Sequence, residues 1–145
     1  MISFLRGLLG GSKLSNLESQ ILACVRDLLD PQIAAKWDSQ VRSINKVQRL
    51  PDGVEVDFYC MKGGRPAPNP EFAFPNKAEE LQIARIQITA ANAKHKLVAT
   101  VWSVTGFLFC IEYEGSANYF EEAAAMDPPL KLKLDCKLTA DLAAG

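Results

Sequence analysis

Leu97-Val98-Ala99-Thr100-Val101-Trp102-Ser103-Val104, then Thr105-Gly106, then Phe107-Leu108-Phe109-Cys110-Ile111-Glu112-Tyr113-Glu114, is the stretch that decides the fold class. Two runs rich in β-branched and aromatic residues flank a turn signal, which reads as a hairpin. In the first run Val98, Trp102 and Val104 alternate with Leu97, Ala99 and Val101. Apolar side chains on both sides predict a central strand covered on both faces. In the second, Phe107, Phe109, Ile111 and Tyr113 oppose Leu108, Cys110, Glu112 and Glu114.

Working outward, residues 81–90 set Ala84, Ile86 and Ile88 against Arg85, Gln87 and Thr89, which makes the hairpin a three-stranded meander. Downstream, Leu130, Leu132, Leu134, Cys136 and Leu138 alternate with Lys131, Lys133, Asp135 and Lys137, the cleanest strand pattern in the chain. Upstream, Val54, Val56, Phe58 and Cys60 alternate with Glu55, Asp57 and Tyr59. The turn Pro51-Asp52-Gly53 leads into that strand, with proline presetting φ and glycine supplying a positive one. Asn118 is placed to cap a short late helix over 119–126, with Glu121 and Glu122 near its positive end. Asp127-Pro128-Pro129 ends it.

The N-terminal part has helical spacing. Ser15-Asn16-Leu17-Glu18 is a capping box, and Leu17, Ile21, Val25 and Leu28 follow on one face. Asp30-Pro31 restarts the pattern as N-cap and first helical residue, and Ile33, Trp37, Val41 and Ile44 continue an apolar stripe. Residues 62–80, with three prolines and two glycines by Pro70, predict a connector pinned to the body by Phe72 and Phe74. The expected architecture is α+β: two N-terminal helices packed on a five- to six-stranded, mostly antiparallel sheet, with a short late helix. One domain over 14–145 is expected, preceded by an arm over 1–13 whose Ile2, Leu5, Leu8 and Leu9 suit packing on the body or a homodimer contact.

The 145 residues are 48% apolar and 23% charged, enough for one self-sufficient core and ordinary for a globular chain. A net charge of −1 with no clustered basic face argues against nucleic-acid binding. No run approaches the roughly 20 apolar residues of a membrane span, and Met1–Gly10 lacks the features of a secretory leader, so a cytoplasmic location is expected. Cys24, Cys60, Cys110 and Cys136 lie in separate segments without a C-x-x-C pair; with one histidine, a zinc site would need all four thiols together. Half-buried free thiols are the expectation, with no cofactor and no metal.

Chemistry is sparse. His95 lies between two lysines in a strand–strand turn, where solvation suits it better than base catalysis. Lys62-Gly63-Gly64-Arg65 lacks the spacing and the following helix of a phosphate loop. Glu112–Glu114 and Glu121–Glu122 could divide acid and base duties, but such pairs more often keep a sheet face solvated. No catalytic residue is assigned.

From 97 to 130 there is no lysine or arginine, while Glu112, Glu114, Glu121, Glu122 and Asp127 fall in its second half. Amid these acids lie Tyr113, Tyr119 and Phe120, a composition suited to an interface. The leading expectation is therefore a non-catalytic interaction module that binds a basic protein. Glu112, Glu114, Glu121 and Glu122 would steer, and Tyr113, Tyr119 and Phe120 would anchor. An inhibitor of the immunity type, covering the basic cleft of a nuclease toxin, is one concrete form. The alternative is a pocket between helices and sheet, lined by Trp37, Trp102 and Phe109. It would hold a small apolar ligand or act on one with a carboxylate as base.

Overall fold

The computed structural model describes residues 13–91 and 94–145. The apolar stripe of the arm expected over 1–13, and the dimer contact built on it, lie outside the described residues.

The capping box forms as expected. Ser15 Oγ accepts from the Glu18 N–H at 3.1 Å, and Glu18 Oε1 accepts from the Ser15 N–H at 2.8 Å. It opens α1, Asn16–Arg26, whose Leu17, Ile21 and Val25 are fully buried. Leu28 leaves the predicted stripe: the helix has ended before it, and its side chain is 48% exposed. Asp30 then accepts from the N–H groups of Gln32 and Ile33, both at 3.1 Å, and starts α2, Pro31–Ser43. Trp37 of α2 is buried and stacks on Phe74 of the connector, ring centres 6.1 Å apart.

The strands are β1, Lys46–Arg49; β2, Glu55–Tyr59; β3, Met61–Lys62; β4, Arg65–Pro66; β5, Leu81–Ala90; β6, Lys96–Val104; β7, Phe107–Tyr113; and β8, Leu132–Leu138. Six of them form an antiparallel sheet in the order β1-β2-β7-β6-β5-β8. The fold is thus α+β, with the meander β5–β6–β7 at its centre. The connector contributes more than a loop: β3 and β4 pair through Gly63 and Gly64, whose φ values of +61° and +79° close a tight hairpin. The late helix, α3, spans Asn118–Ala125. Asn118 is its first residue rather than its cap, and Ser116 Oγ accepts the Asn118 N–H at 3.2 Å.

The helices cover one face of the sheet. On that side Leu97, Ala99, Val101, Val56, Phe58 and Ile111 are buried together with Leu17, Ile21, Val25, Trp37 and Phe120. The other face differs from expectation. Val98, Trp102 and Val104 are only half-buried, so β6 is central but no second layer of the described chain covers it. Neighbouring side chains shield these residues instead.

Two bulges re-aim side chains. Ile83 is extra between Gln82 and Ala84 on β5, and Phe109 is extra between Leu108 and Cys110 on β7. The second bulge breaks the alternation expected for 107–113. Leu108 is buried opposite Ser103, whereas Cys110 lies opposite Trp102 on the open face.

Candidate functional site

A hollow lies at one end of the sheet, under the C-terminal end of α2. It is an apolar cavity of about 270 Å³, open on one side. Ile44 just past the end of α2, Phe58 of β2 and Phe107 and Leu108 of β7 line it, together with Pro66, Pro68 and Phe72 of the connector.

The connector is fastened by polar bonds at several points. Asn45 accepts from the Met61 N–H at 2.7 Å and donates to its carbonyl at 2.9 Å. Lys36 donates to the Glu71 carbonyl at 3.0 Å. The buried Gln40 amide donates to the Phe72 and Gly106 carbonyls at 2.6 and 3.1 Å and accepts from the Leu108 N–H at 2.7 Å. Gln40 therefore spends its polar capacity on backbone and leaves the cavity it borders apolar. No carboxylate and no histidine is in the lining.

Gln40 was legible only as an anomaly, a polar residue three positions after Trp37 within an apolar stripe. The long connector was the better signal, since extended loops in compact domains tend to be functional.

The residues expected to form an acidic, aromatic patch are dispersed. Tyr113 and Phe120 are in the core, 7% and 2% exposed, so little of either side chain is at the surface. Glu121 accepts from Ser15 Oγ at 2.9 Å and belongs to a structural network. At its centre Glu18, 1% exposed, takes a two-point ion pair from Arg49, with Nε–Oε2 at 2.9 Å and Nη2–Oε1 at 2.8 Å. Burial in this setting raises the Tyr113 hydroxyl well above its usual range and raises the Glu121 carboxyl.

Glu122 is exposed on α3, and Glu114 pairs with Arg85 at 2.9 Å. Tyr119 is half-buried and stacked flat on His95, ring centres 3.9 Å apart and planes within 9°. The turn histidine is exposed, as expected, but it is also packed against an aromatic ring that the sequence offered no way to assign to it.

Glu112 does lie on the open sheet face, in company that the sequence did not reveal. Strand register sets Glu55 opposite Glu112 and Asp57 opposite Cys110. One ligand atom from each of Glu55, Asp57 and Cys110 falls within 4.8 Å of the others. A hydrogen bond shared with Asp57, and then burial, push Glu55 up to about 7. Burial and the two acids push the Cys110 thiol up to about 12.

Trp37, Trp102 and Phe109 do not all converge on one pocket, although Trp102 and Phe109 share a hollow on the open face with Cys110 and Glu112. Trp37 is in the helix–sheet core, Trp102 is on the open face, and Phe109 meets Tyr59 edge-on at 5.8 Å beside the bulge. Of the three, only Phe109 borders the cavity under α2. The cysteines likewise stay apart as a set of four; the Cys24 thiol of α1 donates to the Ile21 carbonyl at 3.1 Å and is influenced by the Cys136 thiol of β8. Among the described residues, no helix is long and apolar enough to cross a membrane.

No family model matches the chain, and no curated protein or solved structure matches it either.

Proposed function

We propose that this is a small binding protein, without catalysis of its own, that holds an apolar molecule in the cavity under α2. The observation that carries this reading is the chemistry of that cavity. It is walled mostly by aliphatic, aromatic and proline side chains, with Ser43, Cys60, Asn69 and Thr105 among the lining, and the buried Gln40 at its border is already satisfied by backbone. An apolar hollow of about 150 Å³ can accept benzene. At about 270 Å³ this one suits a bicyclic aromatic or a medium-length acyl chain. The lining has neither a carboxylate nor a histidine, which favours binding over the carboxylate-base variant of the same idea.

A basic protein partner draws less support. Two of its three proposed anchors, Tyr113 and Phe120, are in the core and the third, Tyr119, is half-buried, which leaves Glu112, Glu114 and Glu122 as a thin exposed set.

Titration with naphthalene or octanoate, followed by amide NMR, tests the proposal. Shifts should concentrate at Ile44, Phe58 and Leu108. Ile44→Phe, which adds volume to the cavity wall, should weaken binding by at least about tenfold while leaving the remaining spectrum in place. Shifts scattered over the open sheet face, or equal affinity in the variant, would overturn the proposal.

A further inference from the structure

We infer that Glu55, Asp57 and Cys110, on the open face of the β2–β7 pair, form a site for a divalent transition-metal ion of the zinc class. The site is independent of the cavity under α2.

Three observations converge on it. The first is position: antiparallel register sets Asp57 directly across from Cys110, and one ligand atom of each of the three residues falls within 4.8 Å of the others. Around a tetrahedral zinc ion such atoms stand roughly 3.3–3.6 Å apart, so side-chain rotations that close about 1 Å complete the geometry. All three residues sit on paired strands, which hold side chains more rigidly than loops do.

The second observation is Asp57 itself. It is 8% exposed, its carboxyl faces Glu55 and Cys110, and its Oδ1 has no hydrogen-bond partner. A buried carboxylate oxygen without a donor is costly, and a bound cation removes that cost.

The third is the charge arrangement. Glu55 faces Glu112 across the strands, although like charges directly opposite one another destabilise a sheet. The ion pairs Arg26–Asp38, Arg49–Glu18 and Arg85–Glu114 do not reach Glu55, Asp57 or Glu112. The group of three leaves a fourth coordination position for water.

The thiol sets the class of ion. Magnesium and calcium favour all-oxygen ligands, whereas one thiolate with carboxylates suits zinc or cobalt. Binding converts the Cys110 thiol to thiolate, and its proton leaves to the buffer.

Cobalt(II) titration of the purified full chain under reducing conditions provides the test. Wild type should develop a thiolate-to-cobalt charge-transfer band, saturating at one ion per chain and displaced by zinc. Cys110→Ser should abolish the band, whereas Cys24→Ser should retain it. Asp57→Asn and Glu55→Gln, close in shape to the native residues, should each weaken zinc binding more than about tenfold by calorimetry. If Cys110→Ser does not fold, these two variants decide the matter by their affinities. Absence of a band in wild type, a band that survives Cys110→Ser or is lost with Cys24→Ser, or unchanged zinc affinity in both carboxylate variants would overturn the inference.

Discussion

At the scale of single residues, the acids of this chain divide by what surrounds them rather than by where they fall in the sequence. Glu18 caps α1, neutralises Arg49 and is almost wholly buried, so three effects depend on one carboxylate. Glu18→Ala should cost about 2–4 kcal/mol in urea unfolding, from the lost cap and the lost charge-assisted bonds. A double-mutant cycle with Arg49→Ala should show strong coupling between the two.

Glu121 behaves differently, because burial first of all raises its carboxyl above the ordinary 4.5. The folded state therefore binds a proton that the unfolded state releases, and stability falls as pH rises from about 4.5 through the raised folded value. Glu121→Gln should flatten that decline while keeping an acceptor for Ser15. Thermal melts of the two proteins from pH 4 to 7 would show it, and parallel curves would count against it. Neither behaviour could be read from a run of glutamates, since burial depends on strands and helices far away in the chain.

At the scale of elements, local signals set the helices and tertiary contacts trimmed them. The Ser15–Glu18 box and the Asp30–Pro31 start lie within a few residues of the bonds they make, and both formed. Leu28 fell outside its stripe because α1 stops at Arg26. The bulge at Phe109 was illegible for a related reason. Alternation in 107–113 assumes regular pairing, whereas the partner strand sets where an extra residue is absorbed.

The glycines of two turns offer a test of how much an element depends on its surroundings. Gly53 has φ +66°, and a side chain there would collide with Asn118 at the start of α3. Gly63 has a similar φ, +61°, but open space around it. Gly63→Ala should cost only the left-handed penalty, about 1 kcal/mol. Gly53→Ala should cost more, roughly 2 kcal/mol, because the Asn118 side chain must also turn aside. Equal losses in denaturant midpoints would show that Asn118 yields freely.

At the scale of the whole molecule, one sheet face holds the core and the other carries the proposed metal site, with the cavity at the end between sheet, α2 and connector. This arrangement explains why the expected patch came apart. Residues 112–122 are adjacent in the chain, but strand alternation sends Glu112 and Tyr113 to opposite faces, and α3 turns Phe120 inward. In exchange, register joined Asp57 to Cys110, more than fifty positions apart in the chain.

The sequence by itself determined the α+β class, the two capped helices, the meander and the final strand. Each is written in hydrophobic periods of about 3.6 or 2 residues and in turn chemistry that acts over a few residues. The order β1-β2-β7-β6-β5-β8, the open face, the cavity and the Glu55–Asp57–Cys110 cluster were decided only by tertiary structure. Which strand lies beside which, and in what register, depends on burying a shared core, and no local pattern records the partner across a strand pair.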